Sequence, residues 1–335
     1  MSRSAIGRLV AFGVLTTLLA VALQQVITWS LRRVAVTDLG AFNRAMQGRV
    51  NADIVVVGSS RAFRHYDPRI LTRETGLSCF NLSRNASLID VQLGVLQAYL
   101  RHNTKPRLVI LNLDLHSFAL TKPGEIYDPA QYVPYLGDPA IDACLGRISP
   151  QLWKWKYVPL YAYAVEDTLF TWTLGLRSLC GLAPREPCYD GFSPVPKPWN
   201  HDFERFKRAC PQGIDVAIDA GGVAAMQELI SLCRRQDIRV MLVYSPQYYE
   251  MIALTRNRER VFALFRSIAD RNGVSFLDYS RSPISQTRDY FYNSQHLNAR
   301  GAAVFSEDLA RRLSTMGFAA GPARSAPPQS GLATR

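Results

Sequence analysis

Short apolar runs of strand length alternate with longer segments of helical period, and this alternation most constrains the fold. Residues 53–57 form a β-branched run that ends at Gly58, as expected of a buried parallel strand. Similar runs cover residues 78–82, 108–113, 238–244 and 274–277, and segments with helical spacing cover 68–75, 88–102, 222–236, 257–272 and 301–316. Strands that alternate with helices predict a three-layer αβα domain around a doubly wound parallel sheet, placed at residues 49–316.

The pattern breaks between about residues 117 and 213, where no steady period is visible. This segment is rich in Pro and Tyr and contains Trp153, Trp155, Trp172 and Trp199. We interpret it as a long insertion in the α/β domain. It is either a lid or partner surface, whose aromatic side chains can also hold sugars, or a satellite core that seals one edge of the sheet.

An uncharged apolar run lies near the N-terminus. Between Arg8 and Arg32 about 23 residues carry no charge, enough for a helix to cross a hydrocarbon core of roughly 30 Å. We therefore interpret residues 1–33 as a membrane anchor and 34–48 as a connector. The alternative is a cleaved signal peptide, because residues 20–22 have the small-residue pattern of a cleavage site. Both alternatives export the rest of the chain.

Composition limits the function classes. The 335 residues are 48% hydrophobic, which is typical of a globular chain with a sizeable core. A formal net charge of +12 favours anionic surroundings. No basic block with interleaved aromatics and no zinc-finger spacing occurs, which argues against nucleic acid as a partner. Residues 317–335 are poor in large apolar groups, and we expect a disordered tail there.

Four of the six cysteines (Cys144, Cys180, Cys188 and Cys210) lie in the central segment. An even cluster suits disulfides, and four cysteines allow three pairings among which the sequence does not choose. The alternative is reduced, buried thiols. No pair has zinc-ligand spacing, and no glycine-rich dinucleotide or phosphate loop occurs, so neither a metal site nor a cofactor is predicted.

Two polar clusters at predicted strand ends carry the candidate chemistry. Ser59 and Ser60 follow Gly58 directly after the first strand, and His296 precedes the last helix. Ligands of open α/β sheets bind outside the carboxyl ends of the strands. The fold is therefore expected to bring His296 within reach of Ser60, as a base beside a nucleophile. A simple turn and a structural histidine are the alternative interpretations.

A third cluster follows the second and third predicted strands. Asn85 belongs to the loop after the second strand, and Asn112 and Asp114 end the third. Together with Ser59, these side chains are candidates for stabilising an oxyanion or orienting substrate. Ordinary loop capping by Asn, Asp and Ser is the alternative for each of them.

The layout of these clusters resembles the SGNH hydrolase superfamily, in particular its membrane-anchored envelope branch containing DltD, AlgJ and AlgX. Gly58-Ser59-Ser60 is similar to the first family block, whose third residue is the nucleophile. His296-Leu297-Asn298, followed by Gly301-Ala302, resembles the block with the catalytic histidine. The resemblance covers residues 52–114 and 222–316, and leaves the insertion uncovered.

The sequence departs from the family pattern at two places. The family's acid lies three residues before the histidine, where this chain has Asn293, and Asp289 and Asp278 are nearby alternatives. The family's oxyanion glycine falls in a stretch that here reads Ser83-Arg84-Asn85-Ala86. An amide can still orient an imidazole, although it does not offset its positive charge.

The resemblance implies an envelope-facing serine esterase or O-acyltransferase that acts on acyl groups of a cell-envelope polysaccharide. Ser60 and His296 would form an acyl-enzyme, with Asn293 orienting the imidazole. The expected location is a single-pass membrane protein whose soluble domain lies in the periplasm. Expected partners are the polysaccharide or acyl donor and a membrane-bound O-acyltransferase. The competing hypothesis is a non-catalytic protein of the same fold that binds glycan or a membrane acyltransferase.

Overall fold

Five parallel strands form the centre of the structure, a computed structural model that describes residues 2–164, 169–183 and 187–319. The strands are β1 (Ile54–Val57), β2 (Cys79–Asn81), β3 (Leu108–Asn112), β4 (Arg239–Tyr244) and β5 (Ser275–Asp278). Their order in the sheet is β2-β1-β3-β4-β5, and every neighbouring pair is parallel. The predicted doubly wound parallel sheet is confirmed.

Helices follow the strands in the predicted alternation. Those of the α/β domain are α3 (Ser60–His65), α4 (Pro68–Thr75), α5 (Ile89–His102), α10 (Ala220–Arg235), α11 (Tyr249–Leu254), α12 (Arg258–Asn272), α13 (Pro283–Gln286) and α14 (Ala299–Thr315). The others are α1 (Arg3–Arg32), α2 (Thr37–Met46), α6 (Pro139–Ile148), α7 (Leu152–Tyr157), α8 (Leu169–Leu179) and α9 (Asp202–Ala209). Single 3₁₀ turns lie at Pro129–Gln131, Val133–Tyr135, Tyr161–Tyr163 and Arg288–Tyr290.

Strands β1, β2 and β3 are buried on both faces, which explains why they are mostly apolar, whereas the edge strand β5 is partly exposed. Along β1, Val55 and Val57 point into a core shared with α5, α10 and α12, whereas Ile54 and Val56 point into a second core shared with α4 and α14. Successive side chains of a strand face opposite sides, so helices on both faces are needed to bury this strand. The result is the expected three-layer αβα arrangement.

The carboxyl ends of the central strands lie side by side. Val57 is opposite Leu111 of β3, and Asn112 is opposite Val243 of β4. The chain continues from β1 to β2 on one side and later returns to β3 on the other, so the strand order reverses around β1. In open α/β sheets such a switch point opens a crevice for ligands at the carboxyl edge.

The segment after the apolar helix is not a connector. Thr37–Met46 forms α2, whose apolar side chains Phe42, Ala45 and Met46 are buried in the main core. The Asn43 amide donates to the carbonyl oxygens of Leu31 and Val34 at 2.7 and 2.9 Å. The expectation of a connector over residues 34–48 was wrong because this stretch is amphipathic and packs on the sheet's helical layer.

The first half of the central insertion packs directly on the main core and does not form a separate satellite core. Tyr132 and Tyr135 pack edge to face on Phe42, with ring centroids 5.6 and 5.8 Å apart. Among the described residues between β3 and β4 no strand of the sheet occurs. All six cysteines are unpaired, so the expected disulfides are not formed. The predicted disordered tail falls mainly on residues 320–335, which lie outside the described part of the chain.

Candidate active site

A tight turn at the end of β1 places the candidate nucleophile. Gly58 follows the strand, Ser59 is the N-cap of α3, and Ser60 is the first residue of that helix. A Cβ atom at Gly58 would lie 2.6 Å from the Ala62 Cβ and 2.8 Å from the Asn112 Cβ. Only glycine fits this close approach, and the turn therefore presents Ser60 at the carboxyl edge of the sheet.

His296 meets Ser60 across this edge. Its Nε2 lies 2.8 Å from Ser60 Oγ, and its Nδ1 lies 3.0 Å from Asn293 Oδ1. The ring also stacks on Tyr292, with centroids 5.5 Å apart and planes inclined by 10°. The predicted juxtaposition of Ser60 and His296 is therefore present in the structure, and the imidazole is held on both of its nitrogens.

Asn293 fixes the tautomer of the imidazole. Its Oδ1 is also close to the main-chain nitrogens of Gln295 and His296, at 3.0 and 2.9 Å. An atom that meets two N–H donors must be the amide oxygen, because the amide nitrogen cannot accept. The His296 Nδ1–H therefore donates to it, which leaves Nε2 free to accept the Ser60 hydroxyl proton. This is the tautomer that a general base requires.

The electrostatic surroundings disfavour a charged imidazole. Burial, together with the nearby positive charges of Arg61 and Arg64, lowers the pKa of His296 to about 3. Asn293 supplies no negative charge to offset them. His296 is consequently neutral at physiological pH, able to accept a proton but poorly stabilised once it has done so.

The alternative carboxylates are not placed at the imidazole. Asp278 lies at the end of β5 beside Arg266, at 3.8 Å. Asp289 lies on the exposed 3₁₀ turn and lines a separate surface groove. Asn293 alone contacts the His296 Nδ1 among the described residues, so neither aspartate substitutes for the family's acid.

A buried ion pair supports the nucleophile turn from below. The Arg61 guanidinium donates to Asp114 Oδ1 at 2.8 Å and to the carbonyl oxygens of Leu113, at 3.1 Å, and Ser245. Ser59 donates to the other oxygen, Asp114 Oδ2, at 2.5 Å. These bonds tie the turn after β1 to the ends of β3 and β4. Burial without a partner would be costly for either charge, so the pair acts as a unit.

A second histidine, His65, braces the loop that contains His296. It is fully buried; its Nε2 accepts from the Leu297 N–H at 3.0 Å, and its Nδ1 lies 2.9 Å from Ser245 Oγ. Accepting at Nε2 requires the neutral ring. Consistently, burial and the nearby Arg61 hold the pKa of His65 well below its usual value. His65 is thus a structural residue one layer behind the site.

A cavity of about 260 Å³ opens beside Ser60. Its wall combines hydroxyl, amide and small apolar groups: Ser59, Ser60, Arg61, Ala86, Ser87, Leu88, Gln92, Asp114, Leu115, His116, Ser117, Gln247 and Gln295. None of the insertion's tryptophans is among these lining residues. The space suits a small acyl group and its polar neighbour better than a long acyl chain.

Ala86 lies in the stretch where the resemblance leads us to expect a glycine. It lines the cavity with a φ of 50°, the left-handed conformation that side chains other than glycine rarely adopt. The main chain therefore keeps a glycine-like path although the residue is alanine. Main-chain N–H groups of turns with a left-handed residue can bind anions, so the Ala86 N–H is a candidate oxyanion donor.

Of the four predicted oxyanion and substrate residues, two line the cavity and two do not. Ser59 and Asp114 line the cavity but are bonded to each other. Asn112 is buried beneath it, where its Oδ1 accepts from the Tyr66 hydroxyl at 2.9 Å. Asn85 is half-buried and is not among the lining residues; its neighbour Ala86 is. Asn112 and Asn85 are thus not brought to the cavity.

Several residues of the cavity were missed from the sequence. Gln247 follows the end of β4 and is bonded to the Tyr244 hydroxyl, and Gln295 directly precedes His296. The strand-end rule that selected Ser60 would also have found Gln247. Arg61 gave no usable signal, because an arginine in an α-helix is normally solvent-exposed.

Comparisons with known proteins are limited to weak structural likeness. No family model and no curated protein matches the chain. Similar solved structures include an acetyl xylan esterase (12% identity, TM-score 0.38, covering 78% of this chain and 98% of the other). A GDSL-like lipase from Bacteroides thetaiotaomicron has 10% identity and a TM-score of 0.34, over 82% and 99% of the two chains. A carbohydrate acetylesterase from Sinorhizobium meliloti has 10% identity and a TM-score of 0.34, over 78% and 98%. Such values assign neither family nor function.

Proposed function

We propose that this chain is an SGNH-type serine esterase or O-acyltransferase in which Ser60 is the nucleophile and His296 the general base. The observation that carries this proposal is the 2.8 Å contact between His296 Nε2 and Ser60 Oγ, in the tautomer that accepts the hydroxyl proton. Hydrogen-bond reach and correct protonation are the two geometric requirements for such a pair.

The reaction begins when Ser60 Oγ attacks the carbonyl carbon of an acyl ester in the cavity. His296 Nε2 takes the hydroxyl proton as the new C–O bond forms, and then gives it to the departing alcohol oxygen as the old C–O bond breaks. The acyl-enzyme is released by water or by a sugar hydroxyl, whose proton passes to His296 and then back to Ser60. Water gives hydrolysis, and a hydroxyl gives acyl transfer.

The tetrahedral intermediate places negative charge on the former carbonyl oxygen. The main-chain N–H groups of Ser60 and Ala86 are the donors that this proposal assigns to it, since both residues line the cavity. Of the side chains predicted for this role, Asn112 is turned away, and Asp114 is an acceptor already bonded to Ser59.

The substrate class follows from the size and polarity of the cavity. About 260 Å³ with several hydroxyl and amide groups fits an acetyl or similarly short acyl group on a hydroxyl-rich acceptor. The net charge of +12 suits an acidic acceptor. With α1 as a membrane anchor, we further propose a cell-envelope polysaccharide as substrate, a periplasmic soluble domain, and a membrane-bound O-acyltransferase as partner.

One specific observation favours a second function, a non-catalytic binding protein of the same fold. Asn293 stands where a carboxylate would stabilise the imidazolium, and Arg61 and Arg64 oppose that charge. A site that cannot protonate its base would bind an acylated glycan without cleaving it. The two functions differ in whether Ser60 reacts.

A serine-directed fluorophosphonate distinguishes them. We expect the full-length protein in detergent to be labelled, the Ser60→Ala variant to remain unlabelled, and the matched Ser267→Ala variant, at an exposed position of α12, to keep its label. Turnover of a small acetyl ester should disappear in Ser60→Ala alone. A correctly folded wild-type protein that neither reacts with the probe nor cleaves the ester would establish the binding function instead.

A further inference from the structure

The last third of α1 is bound to the central insertion. The Gln24 side chain accepts from the Leu160 main-chain N–H at 2.6 Å, and Thr28 Oγ1 lies 2.9 Å from the Tyr163 hydroxyl. Farther along, the Arg32 Nε donates to the carbonyl oxygen of Pro134 at 2.8 Å. The insertion therefore contacts α1 well before that helix ends at Arg32.

The position of Gln24 along the helix conflicts with a domain held clear of the membrane. The apolar run begins at Leu9, and Gln24 follows about 15 residues later, which is about 23 Å along a helix. A hydrocarbon core is roughly 30 Å thick. Even if the span begins at Ile6, Gln24 is about 27 Å away. The insertion around Leu160 must then lie at the boundary between hydrocarbon and headgroups.

The insertion exposes suitable side chains next to this point. Trp153, Tyr157 and Val158, which we call the aromatic edge, have exposed fractions of 57%, 75% and 38%. Lys154 lies beside it, with its Nζ 5.7 Å from the centre of the Trp153 ring. Tryptophan and tyrosine are enriched at membrane–water interfaces, and lysine there contacts lipid phosphates. In water, these exposed apolar side chains would contribute nothing to the stability of the protein.

A close contact between helices holds this part of the insertion against α1. A Cβ atom at Gly175 of α8 would lie 2.4 Å from Ser30 Oγ and 2.8 Å from the Leu31 nitrogen. Small residues that permit such close approach are typical of helix pairs in membranes. Beyond the end of α8, Leu182 is exposed by 65%. The insertion is thus also fixed to α1 at Ser30, about 9 Å beyond Gln24 along the helix.

We propose that α7 with the residues after it up to 164, together with α8, forms a membrane-seated platform, with the aromatic edge inserted among lipid headgroups of the leaflet in which α1 ends. The partner of this surface is the lipid bilayer itself. The inference uses α1 as a spanning helix, but it does not depend on the chemistry at Ser60. Two observations support it: the short length of α1 before Gln24, and the exposed aromatic side chains next to that residue.

Tryptophan fluorescence in lipid nanodiscs tests this proposal. The full-length protein is placed in nanodiscs of phosphatidylethanolamine and phosphatidylglycerol, with and without bromine on the acyl chains, after intact mass has verified that residues 1–22 are retained. Bromine quenches only tryptophans near lipid. Trp153→Phe is expected to lose about half of the quenched emission, because the exposed Trp29 and Trp153 share it.

Two matched variants give the comparison. Trp29→Phe, on α1 itself, should also lose part of the quenched emission, whereas Trp199→Phe, in the second half of the insertion, should lose none. Quenching that is unchanged in Trp153→Phe but reduced in Trp29→Phe would overturn the proposal and leave the aromatic edge to a protein partner. Cleavage after residue 22 would overturn it as well.

Discussion

Asn293 Oδ1 lies 3.0 Å from His296 Nδ1 and close to two main-chain nitrogens, so an amide holds the position of a catalytic carboxylate. The geometry of a triad is complete while its negative charge is missing. Orientation and charge, which a carboxylate supplies together, are separated in this protein.

Replacing that amide by a carboxylate should strengthen the base. Asn293→Asp keeps the shape and the accepted N–H bonds but adds a negative charge beside the imidazole, which stabilises the imidazolium in the transition state. We expect kcat for a small acetyl ester to rise at least about tenfold. Asn85→Asp, which adds the same charge to a nearby loop, is the control. A rate that is unchanged or lower in Asn293→Asp would contradict this account of the site.

The pH dependence of the proposed activity in the wild-type protein should lack the fall in rate below about pH 6.5 that an ordinary histidine base produces. Because the pKa of His296 is lowered to about 3, the base remains unprotonated well below pH 6.5. We expect kcat/KM, measured in short assays, to stay nearly constant from pH 8 to 5. An ordinary histidine would lose about 30-fold over that range. In Asn293→Asp, the fall of kcat/KM at acidic pH should shift to higher pH. A fall of the wild-type kcat/KM with its midpoint near pH 6.5 would disprove the prediction.

Ala86→Gly should stabilise the protein without harming the site. The left-handed conformation at Ala86 costs about 1 to 2 kcal/mol for a residue with a Cβ, and glycine removes this strain at an entropic cost of about 0.5 to 1 kcal/mol. We expect a net gain of about 0.5 to 1 kcal/mol in the free energy of unfolding, with activity retained. Ala62→Gly, inside α3, is the control and should lose about 1 kcal/mol. Destabilisation by Ala86→Gly would show that the loop is not strained.

Stability should fall on mild acidification. Burial keeps the pKa of His65 below that of the unfolded chain, so between pH 7 and 5 the unfolded state binds a proton that the native state does not. Each such proton lowers the free energy of unfolding by about 1.4 kcal/mol per pH unit below the unfolded pKa. His296 contributes in the same direction.

Chemical denaturation at pH 7, 6 and 5 measures this slope. In His65→Gln the protein should be less stable at pH 7, but its stability should change less with pH. The exposed His201→Gln variant should keep the wild-type slope. Carboxyl groups with lowered pKa, such as Asp138 and Asp308, act mainly below this window because their ordinary values are near 3.8. Equal slopes in wild type and His65→Gln would contradict the prediction.

The sheet and the pair Ser60 and His296 were predictable because both depend on local signals and one topological rule. Buried parallel strands are continuously apolar, and their carboxyl ends meet at one edge, so residues distant in sequence converge there. These signals brought the two loops together across 236 positions, and the family resemblance selected Ser60 over Ser59.

The support of the site was not predictable in the same way. Arg61 is buried only because Asp114 and two carbonyl oxygens from other strands converge on it, and no periodicity in α3 marks that arrangement. The left-handed conformation of Ala86 is likewise set by the surrounding loop, since alanine itself disfavours it. Helix α2 was missed because a short amphipathic segment beside a long apolar one resembles a linker.

The absence of slack between α1 and the α/β domain limits what the site can reach. Asn43 of α2 donates hydrogen bonds to the Leu31 and Val34 carbonyl oxygens at the end of α1, and the apolar side chains of α2 are buried in the core. A domain attached in this way cannot change its position relative to α1 as it could on a flexible linker. The cavity beside Ser60 is therefore held at a fixed distance and orientation relative to α1. A polymeric substrate of the proposed reaction would have to reach the cavity at that position.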